Sequence, residues 1–239
     1  MTKKQPSKRI RNRAQIPVIN IPKLPGDEAY TIIGKHILFV SVDYDIDTNN
    51  PCEEMDGVGT IRSFSRKHIN RIDAHEALEL LKSDPDVVGL SYFEHGKSLW
   101  MVQELPAPCG VEFQWDGVRF AGIWIPDDCV RESYTGQDGL SRRDWMVQQA
   151  KSACEIYTQW TNGEVYGYNV ELFKLNKADT GDYYTKWDDY RFGKAISEDS
   201  CWGFYGWDHL MEEVMVVVRF ALKELGFSKR AIATATKEV

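Results

Sequence analysis

Polar and apolar positions alternate with period two between His36 and Asp47. Val40, Val42, Tyr44 and Ile46 interleave with Ser41, Asp43, Asp45 and Asp47, which predicts a strand with one buried face. A second strand is expected over 57–64. Val87–Phe93 and Ser98–Gln103 read as a hairpin turning at Glu94-His95-Gly96-Lys97, and the mostly apolar Arg119–Ile125 as a central strand. Helical spacing takes over after Asp73, which is placed to cap a helix ending at Ser83-Asp84-Pro85. Ser141 and Asp144 resemble a capping box ahead of Met146, Ala150, Ala153, Tyr157 and Trp160, and Gly163 stops that helix. Residues 164–175 read as a further strand, and Asp179–Arg191 as a polar excursion rich in Asp and Tyr. Pro17, Pro22 and Pro25 hold residues 16–26 extended, as a strap over the body.

The chain is organised around Asp199-Ser200-Cys201-Trp202-Gly203-Phe204-Tyr205-Gly206 and the helix expected after it, Trp207 to about Leu225. Three large aromatics among two glycines suggest a tight turn packed on a core, with Trp202 buried. Asp208 is placed to cap the helix, and Leu210, Val214, Val217, Val218, Ala221 and Leu225 form its apolar stripe. The expected fold is α+β, an antiparallel or mixed sheet packed by two long helices. A basic, disordered arm at 1–15 would precede a single domain at 16–239.

Composition supports a globular body. Apolar residues make up 43% of 239, enough for a sizeable core, and no run reaches the roughly 18 apolar residues of a membrane span. The basic N-terminal stretch is not followed by the apolar run of a secretory signal. Five cysteines (Cys52, Cys109, Cys129, Cys154 and Cys201) without a C-x-x-C pair argue for reduced thiols in a cytosol.

Charge is lopsided. The net charge is −7, yet Lys3, Lys4, Lys8, Arg9, Arg11 and Arg13 fall in the first 15 residues with no acid among them. With those six set aside, 23 basic residues face 36 acidic ones, a balance of −13. An acidic body disfavours broad contact with a phosphate backbone, so direct nucleic-acid binding is left to the arm.

Few residues suggest chemistry. Asp43, Asp45 and Asp47 on one strand face, with Glu53, Glu54 and Asp56 behind them, form an oxygen-rich group; a solvated face explains their spacing better than a cation site. No EF-hand, H-E-x-x-H, phosphate loop or G-x-S-x-G elbow is present, so no metal or cofactor is expected. Cys201 lies just ahead of a helix N-terminus with His209 nearby, a pairing suited to a nucleophile, but its aromatic neighbours favour a buried thiol. Arg62, Arg66, Lys67, His68 and Arg71 form a basic cluster, read first as local partners of Glu53, Glu54 and Asp56.

Several stretches resemble an uncharacterised family of short proteins from tailed bacteriophages and prophages. These are Met55-Asp56-Gly57-Val58-Gly59-Thr60, Arg66-Lys67-His68, Tyr92-Phe93-Glu94-His95-Gly96, and Cys109 with Gln114-Trp115-Asp116-Gly117. The most specific are Gly163-Glu164-Val165-Tyr166-Gly167-Tyr168 and Asp199–Gly206. The resemblance spans about residues 54–206 and implies a setting in the cytoplasm of an infected bacterium, without an activity.

Two classes of function follow as expectations. The first is a phage accessory or early protein that modulates a basic host protein, such as a nucleic-acid-handling or defence enzyme, through Asp43, Asp45, Asp47, Glu53, Glu54 and Asp56. The second is an enzyme of unfamiliar type with a pocket near Asp56, His95 and Cys201, Tyr205 also being placed there.

Overall fold

The computed structural model describes residues 17–108, 116–136, 139–175 and 192–236. In chain order these form β1 (Glu28–Ile33), β2 (His36–Tyr44), α1 (Pro51–Glu54), β3 (Thr60–Ser63), α2 (Ala74–Ser83), β4 (Val88–Glu94) and β5 (Ser98–Val102). Then come β6 (Gly117–Ile125), α3 (Asp128–Ser133), α4 (Arg142–Thr161), β7 (Val165–Leu175), β8 (Phe192–Tyr205), α5 (Trp207–Glu224) and α6 (Lys229–Ala235). The fold is α+β, with two four-stranded antiparallel sheets and six helices among the described residues. The arm at 1–15, Cys109 and the polar excursion at 179–191 lie outside them.

The chain divides into two compact units. The first comprises Met1–Asp43, Tyr168–Cys201 and Met211–Val239; the second comprises Tyr44–Gly167 and Trp202–Leu210. In the second, the sheet runs β3-β6-β4-β5, so β6 is central, as its apolar sequence predicts. The hairpin of β4 and β5 pairs Leu90 with Val102 and Glu94 with Ser98. Ser141 caps α4 by accepting from the Asp144 N–H at 3.1 Å, and the buried face of the helix is Met146, Val147, Ala150, Ala153, Cys154 and Tyr157. These side chains share one core with Val88, Leu90, Trp100 and Trp124 from the sheet. Trp124, fully buried, satisfies its indole N–H on the Val58 carbonyl at 2.8 Å. Asp73 and Asp84 bound α2, as expected.

Sheet edges expose unpaired backbone groups, and β5 is such an edge. Polar side chains at the C-terminal end of α4 cover it. Thr158 Oγ1 accepts from the Trp100 N–H at 3.0 Å, and Asn162 both accepts from the Ser98 N–H and donates to its carbonyl, each at 2.9 Å. Helix and strand are thereby held at a fixed spacing.

In the first unit, β1 and β2 form a hairpin from Glu28↔Ser41 to Ile33↔His36. The stretch 17–23 has no regular secondary structure, with Ile19 and Ile21 buried and the Asn20 N–H bonded to Thr31 Oγ1 at 2.9 Å. Its other buried apolar residues include Leu38, Val40, Leu172, Val214, Val218 and Leu222.

Four expectations change. The strand begun at His36 ends at Tyr44 rather than Asp47, because Asn50-Pro51 starts α1: the Asn50 side chain accepts from the Cys52 N–H at 3.0 Å, and Pro51 takes the first helical turn. Ile46 is accordingly 87% exposed in the turn between them. The strand expected over 57–64 is confined to β3. Asp199–Tyr205 is not a tight turn but the end of β8, and Trp202 is 47% exposed instead of buried. Asp208 sits inside the first turn of α5, while the Gly206 carbonyl accepts the Leu210 N–H at 3.2 Å.

Candidate functional site

The sequence-derived candidates fall in different places. Asp43 ends the first unit's share of β2; Asp45 and Asp47 belong to the turn that opens the second. Glu53 and Glu54 sit on α1, each bonded to a nearby asparagine, Glu53 with Asn50 at 3.2 Å and Glu54 with Asn49. Asp45, Asp47, Glu53, Glu54 and Asp56 form no ion pair with any described residue. The basic cluster after β3 therefore does not neutralise them, contrary to the expected local pairing. Tyr205 is half-buried near Asp45, Glu54 and Cys52; burial, then those neighbours, push its phenol up.

The pocket expected from Asp56, His95 and Cys201 has no common geometry within either unit. His95 is an exposed imidazole paired with Asp116 at 3.0 Å. Cys201 is exposed and belongs to the first unit. Thiols shielded from water occur instead at half-buried Cys52, pushed up to about 11 by desolvation, and at buried Cys154, pushed higher by the same cause. Both stay protonated at neutral pH, which removes their nucleophilicity. No group of three or more His, Cys, Asp or Glu among the described residues is arranged to hold a metal.

A cleft of about 460 Å³ opens in the second unit instead. Its walls come from the loop after β3, the β4–β5 hairpin and the C-terminal end of α4, including His68, Asn70, Tyr92, Trp100 and Trp160. The aromatic rings form a connected series. Tyr92 and Trp100 are 4.8 Å apart, His68 lies 5.3 Å from Tyr92, and Tyr157 bridges Trp100 at 6.2 Å to Trp160 at 5.4 Å. Trp100 and Tyr157 are buried, whereas His68, Tyr92 and Trp160 are half-buried and face the opening. Lys67 and Lys97 stand at the rim, Lys97 paired with Glu164.

The loop that carries His68 is closed by Asn70. Its carboxamide Nδ2 donates to the Ile61 carbonyl at 2.8 Å, while its main-chain carbonyl accepts from the Ser63 N–H at 3.0 Å. The Asn70 Oδ1 atom is buried and has no hydrogen-bond partner among the described residues. A buried acceptor left without a donor costs about 1–3 kcal/mol. His68 supplies the opposite polarity. Burial holds its pKa below the ordinary 6.5, so the ring is neutral at pH 7. Its Nδ1 shares a 2.8 Å hydrogen bond with Ser63 Oγ, which already accepts the Ser65 N–H at 3.1 Å. We assign the shared proton to Ser63, which leaves the imidazole proton on Nε2 as a donor. Tyr92, bonded to Glu94 at 3.1 Å, is pushed up to about 12 by burial and that carboxylate, and remains a phenol.

Sequence reasoning found Lys67 and His68 as part of a basic cluster but missed Asn70, Tyr92 and Trp160. The readable signal was His68-x-Asn70 in a short loop between strand and helix. No family model, no curated protein and no solved structure matches the chain.

Proposed function

We propose that this chain is a binding protein and that the cleft of the second unit seats a planar ligand bearing an amino or amide N–H. The observation that carries the reading is Asn70, a residue of the cleft wall whose buried Oδ1 has no hydrogen-bond partner among the described residues. Half-buried Tyr92, Trp160 and His68 line the same cleft with flat rings, and the neutral His68 adds a donor. Heterocycles of nucleobase type combine these features. Adenosine and purine riboside differ chiefly in the exocyclic amine, so calorimetric titration with each isolates the Asn70 contact. Adenosine should bind about tenfold more tightly or better, because the riboside leaves the acceptor unsatisfied. Equal affinities would remove Asn70 from recognition, and no binding of either at millimolar concentration would count against the cleft as such a seat.

A second reading is supported by the five carboxylates from Asp45 to Asp56 that no described cation pairs. In it, this stretch docks on a basic host protein in the cytoplasm of a phage-infected bacterium, imitating a phosphate backbone. Its signature is association that weakens steeply with salt.

A further inference from the structure

Helices α5 and α6 enclose a second concavity, built wholly from residues of the first unit between Met211 and the C-terminus. It is a groove of about 590 Å³. The buried face of α5 is formed by Val214, Val218, Ala221 and Leu222. Val216 and Phe220, one turn apart, lie on another side of the helix and are 52% and 57% exposed. They form the apolar floor with Ile232 and Ala233 of α6. Arg219 joins the helices through its Nε–H, donated to Thr236 Oγ1 at 3.4 Å.

The charged side chains lining the groove are all cationic, although Glu212 and Glu224 continue the Val216–Phe220 row of α5 at i, i+4 spacing. Arg219, Lys223 and Lys229 line the groove, no carboxylate does, and none of the three cations is in an ion pair with a described residue. That is unusual on a chain of net charge −7. An exposed Val–Phe pair one turn apart matches apolar side chains spaced three or four residues along a partner helix, and the cations match carboxylates on its flanks. We infer that the α5–α6 groove docks an acidic amphipathic helix of a partner protein.

The inference does not depend on the cleft ligand, and its test uses a different unit. The probe is a labelled peptide of about 15 residues, the length at which a helix becomes viable in water, with Leu at helical i, i+4 spacing and Glu on its flanks. A Lys-flanked version is the control. Fluorescence anisotropy with the full chain should show binding of the Glu peptide only, weakening with salt. Phe220→Ser, at an exposed position that leaves the core intact, should reduce affinity about tenfold, as loss of a central aromatic contact does. Lys223→Glu with Lys229→Glu should abolish binding of the Glu peptide while thermal unfolding stays cooperative.

Three results overturn the inference. One is equal binding of both peptides, or binding indifferent to Phe220→Ser. Another is a concentration-dependent dimer in sedimentation that Phe220→Ser disperses, which assigns the groove to a second copy. The third is binding to phosphatidylserine vesicles with no peptide binding, which assigns it to an anionic lipid surface.

Discussion

Trp202 lies across Gly167. A Cβ built on Gly167 would come within 2.1 Å of Trp202 Cε3, so the indole occupies the space a side chain at 167 would need. The two residues belong to neighbouring strands, β8 and β7, and the bare backbone of Gly167 lets the ring lie flat on it. Trp202 is thereby covered on one side while 47% exposed.

Each partner's substitution should therefore depend on the other. Trp202→Ala is expected to cost about 1–2 kcal/mol, less than full burial would imply. Gly167→Ala should cost about 1–3 kcal/mol by displacing the ring. In the double variant the losses should fall short of additive by at least about 0.5 kcal/mol, measured by urea unfolding. Strict additivity would mean that the ring does not rest on Gly167.

Asp86 anchors the loop between α2 and β4. Its buried carboxylate meets Arg131 at 2.9 Å and Arg142 at 2.6 Å, and these guanidinium groups, Arg142 foremost, hold its pKa below the ordinary 3.8. Asp86→Ala should destabilise by about 1–3 kcal/mol: Arg142 loses its carboxylate, while Arg131 keeps Asp84 at 2.7 Å. Arg142→Ala, at a 45% exposed side chain, should cost only about 1 kcal/mol. In acid titration, the carboxylate's contribution is complete above 3.8 and disappears as pH falls through its lowered folded value. Unfolding midpoints of the wild type and Asp86→Ala should converge at the acid end.

His68 gives a pH dependence in a different window. Burial depresses its folded pKa, with Glu94 opposing and Lys67 reinforcing the shift. Unfolded chains take up the proton near 6.5, so stability is full above that value and declines as pH falls from 6.5 to the lower folded pKa. His68→Gln should flatten that decline in thermal unfolding. An unchanged slope would place the effect on other groups.

Local signals were legible where the chain's own capping chemistry decided the outcome. Asp73, Ser141 and the Glu94–Lys97 turn mark α2, α4 and the β4–β5 hairpin in both sequence and structure. Alternation misled at Asp45 and Asp47, because period two continues past Tyr44 while Asn50-Pro51 already requires a turn. β1 was missed because Pro25-Gly26, just ahead of it, reads as the end of the strap, and its turn to β2 is only Gly34-Lys35. The cleft was largely hidden. Its rings come from residues up to 92 positions apart, from His68 to Trp160, and nothing local distinguishes an aromatic that faces an opening from one in a core. Trp202 shows the same difficulty from the other side, since its exposure depends on Gly167.

The acidic reading predicts a kinetic effect. Replacing Asp45, Asp47, Glu53, Glu54 and Asp56 by their amides should slow association with oligolysine several-fold while the fold persists. The difference should fade once salt shortens screening below about 8–10 Å. Stopped-flow rates that ignore both salt and substitution would set this stretch aside as a solvated surface.

The cleft is the centre of the account, and Asn70 is its most exacting point. Heteronuclear NMR can follow the Asn70 carboxamide and the Trp160 indole N–H, which is bonded to the Thr48 carbonyl at 3.1 Å, during titration with adenosine. The account predicts saturable shifts of both signals together, lost in Asn70→Ala while the remaining spectrum stays dispersed. Shifts that persist in Asn70→Ala, or an Asn70 signal that never moves, would contradict it.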